Sequence, residues 1–172
     1  GSVYAVDAAD GRFLWSFDVT DLIGGNAKDG YIFRQRGVVY AEGVVYTAGG
    51  ASLFALNAEN GKPVAGFGTN GHAQPILDIL RERYPDVKSS VSMGYSFTVA
   101  PQFYKGVLYI GANRSESHIP GGYMMAIDAK TGKVKWSFNT VPQDKSDQGW
   151  EVAGPTWIGG ERHGGGIWTT PP

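Results

Sequence analysis

Short alternations of apolar and polar residues recur along the chain, and they predict β-strands rather than helices. Three stretches share one pattern: an apolar residue, Ala, an apolar residue, Asp or Asn, Ala, two variable residues and Gly. The copies are residues 4–11, 54–61 and 125–132. In each copy the Gly stands four residues after the Asp or Asn. This combination is typical of a tight turn, because the Asp or Asn side chain bonds the nearby backbone and Gly adopts positive φ. The pattern therefore predicts a repeated unit of strand, turn and strand.

Tryptophan marks the strand that follows the turn in two of the copies. Trp15 and Trp136 each stand four residues beyond the glycine, where a large ring would fill the space between stacked sheets. The second copy is degenerate, with Ala65 at the tryptophan position and Phe67 two residues later. We therefore predict that Trp15 and Trp136 both pack between sheets.

Strand-like segments also precede the second and third copies. Residues 43–48 and 106–111 are predicted to pair with the strand of the following copy, and residues 36–40 and 96–100 each indicate one further strand. The copies start at residues 4, 54 and 125, at intervals of 50 and 71 residues. Four antiparallel strands per unit are typical of propeller blades, whereas a β-sandwich, the alternative, predicts no such internal similarity. We predict an all-β fold, an incomplete β-propeller with about two full blades and parts of others.

The repeat also predicts how this single domain is divided. We expect the end of one blade at residues 1–29 and a second blade at residues 30–74. A helical insertion is expected at residues 75–90, a third blade at residues 91–145 and the start of the next blade at residues 146–172. In the insertion, apolar residues recur at helical spacing from Pro75 to Tyr84, and Pro85 follows. Proline suits the first turn of a helix and also ends one. We interpret this helix as a packing element without chemistry of its own.

Composition and charge exclude several classes of function. The 172 residues include 16 acidic and 15 basic ones, for a net charge of -1, so the basic surface of a nucleic-acid-binding protein is not expected. No apolar run approaches the roughly 18 residues of a spanning helix, so no transmembrane segment is predicted. Cysteine is absent, which excludes disulfides and thiolate metal sites in this chain. The chain opens on a strand with no signal peptide, and we expect it to be a fragment.

The third copy carries a longer signature, Ala-x-Asp-x-x-Thr-Gly-x-x-x-Trp, from Ala126 to Trp136. This signature resembles the tryptophan-docking motif of the quinoprotein dehydrogenases, and the chain is similar to the N-terminal third to half of their propeller. The resemblance implies an eight-bladed propeller that binds pyrroloquinoline quinone (PQQ) and a metal ion and oxidises alcohols or sugars in the periplasm. Non-enzymatic propellers of the outer-membrane assembly type share a version of the motif, so a scaffold propeller is the alternative.

Further segments resemble the cofactor-binding stretches of that family. Arg36, at the start of a strand, matches an arginine that reaches the quinone, and Thr98 matches a threonine that contacts it. Residues 110–116 resemble the segment that ends in a metal-binding glutamate, here Glu116. Residues 164–168 resemble the segment whose tryptophan lies flat under the cofactor. The resemblance assigns these residues to cofactor binding: Arg36, Thr98, Asn113, Arg114, Ser115, Glu116 and Trp168.

These residue types suit the chemistry of a flat quinone with three carboxyl groups. Trp168 offers an aromatic face, while Arg36 and Arg114 offer bidentate partners for carboxylates. Glu116 offers an oxygen ligand for Ca²⁺ or a lanthanide, which by the resemblance polarises the quinone carbonyl. The resemblance places the aspartate that removes the alcohol proton, and a second metal ligand, in later blades. No residue of this chain is therefore assigned a catalytic role.

Two hypotheses follow for the function. The first is a PQQ-dependent dehydrogenase with a small-molecule alcohol or sugar as substrate and an electron acceptor such as a cytochrome c or a quinone. The second is the scaffold propeller, which requires neither Glu116 nor the tryptophan segment. An incomplete ring leaves strand edges unpaired and supplies at most one metal ligand. We therefore expect these residues alone to bind neither Ca²⁺ nor PQQ tightly, to be inactive and to self-associate.

Overall fold

The computed structural model of the protein describes residues 1–23, 36–91, 93–112 and 119–171. These residues form ten β-strands and two short α-helices, with 3₁₀ turns at Val19–Leu22 and Gly154–Thr156. The strands are β1 Ser2–Val6, β2 Phe13–Asp18, β3 Val38–Ala41, β4 Val44–Gly49, β5 Ser52–Asn57, β6 His72–Ala73, β7 Gln102–Tyr104, β8 Val107–Gly111, β9 Tyr123–Asp128 and β10 Val134–Asn139. The helices are α1 Pro75–Arg83 and α2 Trp150–Ala153.

The strands form three antiparallel sheets in chain order. Two sheets have four strands, β3-β4-β5-β6 and β7-β8-β9-β10, and the first has two, β1-β2. In the first and third sheets the repeated turn joins the last two strands, so β1 and β2 correspond to the outer pair of a full sheet. In the second sheet the turn follows β5, and β6 begins further on, at His72. Four-stranded antiparallel sheets in sequential order are the blades of a propeller. The division of the chain into blades at particular residues stays a prediction.

The strand expected at residues 96–100 lies six residues further on, as β7, so that prediction is wrong. Lys105 and Gly106 have φ values of 46° and 77°, a tight turn that pairs β7 directly with β8. Phe97 is fully buried, and its N–H donates to the carbonyl of Gly50 in the neighbouring blade at 2.5 Å. The alternation at residues 96–100 therefore reflects burial between two blades and not a sheet edge.

The helix predicted in the insertion is confirmed. It begins at Pro75 and ends at Arg83, with Tyr84 closing it through an N–H bond to the carbonyl of Leu80. Its buried side chains, Ile76, Leu77 and Leu80, recur at the spacing of one helical face. The helix packs against β5 of the second blade and β10 of the third, so it connects two blades.

The second blade is packed on both of its faces, and β5 shows this residue by residue. Phe54 and Leu56 join Val3 and Trp15 in a cluster with the first sheet. Leu53 and Ala55 join the larger cluster shared with the third blade. Successive residues of a strand point to opposite faces, so a strand between two neighbours must be apolar at every position. This arrangement explains the continuous apolar run in β5.

Trp15 joins the first repeat to the second, as predicted. Its indole N–H donates to the carbonyl of Ala58 at 2.9 Å, and the side chain is only 8% exposed. The ring lies directly over Gly61, where an added Cβ would stand 2.5 Å from a ring carbon. The glycine of one copy is therefore required by the tryptophan of the copy before it, in addition to its positive φ of 70°.

The degenerate second copy keeps the same contacts with two side chains. Ala129 occupies the position in the third copy that Ala58 has in the second, and its carbonyl accepts a hydrogen bond from the Tyr46 hydroxyl at 3.0 Å. The Phe67 ring is fully buried and lies against Gly132, 3.4 Å from the place of an added Cβ. Tyr46 and Phe67 together replace the donor and the ring that Trp15 combines.

Trp136 differs from Trp15, and the prediction that it packs between sheets is wrong for the described residues. Its side chain is 46% exposed, and its ring lies 6.3 Å from that of Tyr109 within its own blade. Trp15 packs on the alanine and glycine of the next copy of the repeat. No further copy of the pattern follows Gly132 in the sequence, so the chain supplies no such surface for Trp136.

Tyr46→Phe is expected to lower the free energy of unfolding by about 1–3 kcal/mol, because it leaves the carbonyl of the buried Ala129 without a partner. Burial raises the pKa of the Tyr46 hydroxyl, so it stays protonated and able to donate. Tyr40→Phe, at a side chain that is 67% exposed, is the matched control and should change stability by less than about 0.5 kcal/mol. Urea unfolding measures both, and equal losses would contradict the role given to Tyr46.

Candidate quinone-binding site

The described residues include three of the residues assigned to cofactor binding. Arg36 is exposed and stands two residues before β3. Thr98 is half-buried in the coil that leads to β7. Trp168 is 61% exposed and lies in a segment without regular secondary structure near the end of the sequence. The three residues are therefore far apart in sequence, and all of them lie outside the strands and helices.

The backbone segments that carry these three residues meet at Ala100. An added Cβ on Gly37, which follows Arg36, would lie 3.7 Å from the Cβ of Ala100. The Thr170 hydroxyl donates to the carbonyl of Ala100 at 3.4 Å. Because Ala100 is two residues from Thr98, and Thr170 two residues from Trp168, the fold brings the three segments to one place.

The segment that carries Trp168 is also hydrogen-bonded to the residues on either side of residues 113–118. The N–H of Ile167 donates to the carbonyl of Ala112 at 3.0 Å, and the N–H of Gly164 donates to the carbonyl of Ile119 at 3.0 Å. The Thr140 hydroxyl donates to the carbonyl of Gly165 at 2.6 Å. Three hydrogen bonds within four residues give this segment a definite path along the third blade.

Glycine permits this close approach. An added Cβ on Gly122 would lie 2.5 Å from the carbonyl oxygen of Gly165 and 3.0 Å from that of Ala112. An added Cβ on Gly111 would lie 2.3 Å from the Ile167 side chain. Backbone meets backbone at Gly122 without room for any side chain, so the segment packs tightly only because Gly occupies that position.

A buried tyrosine holds the neighbouring turn. Tyr95 is fully buried and donates its hydroxyl to the carbonyl of Gly121 at 2.8 Å. Burial raises the pKa of Tyr95 well above its usual range, and burial also raises the pKa of the adjacent Tyr123 to about 12. Both hydroxyls therefore remain protonated near neutral pH, and Tyr95 remains a donor to the turn that contacts residues 164–166.

Four of the assigned residues lie outside the described residues: Asn113, Arg114, Ser115 and Glu116. Their roles, and Glu116 as metal ligand, stay predictions. In the part of the chain that the structure describes, no group of three or more His, Asp or Glu side chains could hold a metal ion. The three described residues suit the quinone by chemical type, since Trp168 offers an exposed aromatic face, Arg36 a guanidinium and Thr98 a hydroxyl.

A cavity of about 540 Å³ lies elsewhere, between α1 and the outer strand β10. Arg83, Asp144 and Asp147 are among its lining residues, and Arg36, Thr98 and Trp168 are not. The cavity is therefore separate from the place where the three assigned segments meet.

Sequence reasoning missed the residues that hold the Trp168 segment in place. Thr140 acts on Gly165 from 25 residues away, and Gln143 and Arg162, 19 residues apart, bond each other. None of these pairs has a repeating spacing or a motif. Only the spatial contact reveals them.

Comparison with known proteins decides the family. The family model for the β-propeller domain of PQQ-dependent glucose, ethanol and alcohol dehydrogenases matches residues 1–170. The chain belongs to this family. The predicted propeller fold is thereby confirmed, and membership favours the dehydrogenase hypothesis over the scaffold alternative.

Relatives in the PQQ dehydrogenase family show how much of the fold the chain covers. It is 32% identical to the quinohemoprotein alcohol dehydrogenase ADH-IIG of Pseudomonas putida, over 95% of this chain and 21% of that protein. It is 37% identical to the dehydrogenase subunit of the alcohol dehydrogenase (quinone) of Gluconacetobacter polyoxogenes, over 83% of this chain and 18% of that protein. The chain thus spans about a fifth of the length of these relatives.

Solved structures agree with the family assignment. The structure of ADH-IIG from Pseudomonas putida HK5 superposes with a TM-score of 0.68 at 29% identity, covering 92% of this chain and 21% of that one. The quinohemoprotein alcohol dehydrogenase of Comamonas testosteroni superposes with a TM-score of 0.60 at 29% identity, covering 85% and 19%. Among the described residues, no helix is long and apolar enough to cross a bilayer.

Proposed function

We propose that this chain forms one side of the PQQ pocket of a periplasmic alcohol dehydrogenase and is active as part of a complete propeller. One observation carries the proposal: the segment ending in Trp168 is bonded to Ala112 and Ile119, on either side of residues 113–118. These bonds to the two described residues that flank 113–118 support a pocket in which Trp168 and that segment act on the same cofactor. The names of the relatives, alcohol dehydrogenases, support an alcohol as the substrate.

Each residue has a proposed task in holding the cofactor. Trp168 supports the flat face of the quinone, and its 61% exposed side chain is accessible for stacking. Arg36 pairs with a carboxylate of the quinone through its planar guanidinium. Thr98 donates a hydroxyl hydrogen bond to the ring substituents.

Residues outside the described part complete the proposed pocket. Asn113, Arg114 and Ser115 supply neutral and cationic donors to the carboxylates, and Glu116 binds Ca²⁺, or a lanthanide in its place. When bound, the quinone supplies a hydride acceptor and the cation supplies a Lewis acid. The residues of this chain orient the cofactor, and the base that takes the alcohol proton comes from elsewhere in the propeller. An electron acceptor such as a cytochrome c or a quinone then reoxidises the enzyme.

Reconstitution tests the proposal. The complete apoenzyme, supplied with PQQ and Ca²⁺, should reduce an artificial dye in the presence of a primary alcohol, and chelation of the metal should abolish this activity. Glu116→Gln should weaken Ca²⁺ binding by more than the roughly 10- to 100-fold typical of partners outside the ligand shell, because it removes a direct charged ligand.

Glu161→Gln is the matched control, since the Glu161 side chain is 85% exposed and lies outside the proposed pocket. It should leave the Ca²⁺ requirement unchanged. No dye reduction across a panel of alcohols and sugars, with full loading of both cofactors attempted, would contradict the dehydrogenase. Equal Ca²⁺ requirements of the two variants would contradict the role of Glu116.

A further inference from the structure

The insertion helix α1 is connected to the third blade by a partly buried ion pair. The Arg83 guanidinium donates two parallel hydrogen bonds to the carboxylate of Asp147, at 2.7 and 3.0 Å. Their side chains are 23% and 13% exposed, so this pair is shielded more than a typical surface ion pair. The hydrogen bonds to Asp147 raise the pKa of Arg83 above its ordinary value. Arg83 therefore holds Asp147 in one orientation.

Asp147, held by Arg83, in turn fixes the backbone of Gln143. One oxygen of its carboxylate accepts the backbone N–H of Gln143 at 2.6 Å. The Gln143 side-chain amide donates to the carbonyl of Arg162 at 3.1 Å, and the Arg162 guanidinium donates to the carbonyl of Gln143 at 2.8 Å. This reciprocal pair ties the start of the Trp168 segment to the loop that Arg83 holds.

Two indole rings hold Arg162 in addition. Its guanidinium lies 4.5 Å from the ring centroid of Trp150 and 5.6 Å from that of Trp157. Cation–π contacts of this kind attract a guanidinium to the ring face and so help to orient it. Gly164, two residues further on, begins the series of backbone bonds that leads to Trp168.

We propose that Arg83 is a positioning residue for Trp168, acting through Asp147, Gln143 and Arg162. The inference rests on the proposed function, in which Trp168 supports the quinone. It gives α1 a role beyond packing: from its position against β5 and β10, the helix orients the aromatic face of the cofactor site. If α1 only covered apolar surface, its buried apolar side chains would be enough, and the bidentate pair of Arg83 with Asp147 would have no purpose.

Hydrogen exchange tests the relay without any cofactor. Arg83→Met removes both bonds to Asp147, and the amides of Gly164 and Ile167 are then expected to exchange about 10-fold faster. The amides of β5, within the core, should exchange as before. Arg81→Met, at an exposed position on the same helix, is the control and should change neither set. Unchanged exchange at Gly164 and Ile167 in Arg83→Met would overturn the proposal.

The complete enzyme supplies the second measurement. Arg83→Met should weaken PQQ binding by about 10-fold and alter the absorbance spectrum of the bound quinone, with little change in the KM for alcohol, because the variant leaves the alcohol site itself intact. Weaker PQQ binding with an unchanged spectrum, and with exchange in β5 accelerated as much as at Gly164 and Ile167, would mean that α1 acts through general stability, which overturns the relay. An unmodified enzyme that takes up no PQQ contradicts the proposed function and leaves the exchange result to decide the relay.

Discussion

Gly122→Ala is expected to displace the Trp168 segment and to weaken PQQ binding by the complete enzyme by about 5- to 150-fold. The added Cβ would stand 2.5 Å from the carbonyl oxygen of Gly165 and 2.9 Å from the Cα of Gly166. Both contacts are with backbone, so no side-chain rotation relieves them. Overpacking of this kind costs about 1–3 kcal/mol, and 1.4 kcal/mol corresponds to a factor of 10 in affinity.

Gly66→Ala makes the same chemical change where there is room for it. The nearest atom to its added Cβ is the carbonyl oxygen of Lys130 at 3.9 Å, an ordinary contact. Calorimetric titration with PQQ should show native affinity for this control and a loss for Gly122→Ala. Equal affinities would mean that residues 164–166 accommodate the methyl group, and the tight packing would then have no part in the site.

Trp15→Ala is expected to lower the free energy of unfolding of the chain by about 3–5 kcal/mol, the range for removal of a buried aromatic side chain. The substitution empties the space between the first and second sheets. It also removes the hydrogen bond to Ala58 and exposes the surface of Gly61 that the ring covers. The first sheet has only two strands, so loss of this contact should release it from the second blade.

Trp136→Ala tests whether the stabilisation comes from packing of the tryptophan against the next repeat or from any tryptophan at this position of the repeat. Trp136 occupies the same position in its copy of the repeat but is 46% exposed, against 8% for Trp15. Its removal should cost less than about 1 kcal/mol in this chain. Urea unfolding followed by circular dichroism compares the two variants. A similar loss in both would show that a blade depends on its own tryptophan and not on the contact with the next repeat.

The strands and turns could be predicted from the sequence because each depends on neighbours a few residues away. The three copies of the repeat correspond to β1 and β2, to β5 and the turn that follows, and to β9 and β10. The strand predicted at residues 96–100 was wrong because two causes produce the same alternation of apolar and polar residues. Residues 96–100 alternate because they are buried between blades, and the strand itself, β7, lies at Gln102–Tyr104. Periodicity reports burial, and burial between sheets mimics burial within one.

The candidate site divides in the same way. Arg36, Thr98 and Trp168 were identified by resemblance of their segments to those of a family, and the structure brings their backbones together around Ala100. The roles of Asn113, Arg114, Ser115 and Glu116 remain predictions. Alternation and turn signals do not indicate which segments meet, because the meeting depends on how successive blades stack.

The sequence by itself determined the repeat, the all-β propeller, the insertion helix and the docking of Trp15. All of these follow from residue types at fixed, short spacings. Only the tertiary structure decided that Tyr46 bonds Ala129, 83 residues away, and that Arg83 bonds Asp147, 64 residues away. A single hydrogen bond between distant residues needs one donor and one acceptor in the right place, and it leaves no periodic pattern in the chain.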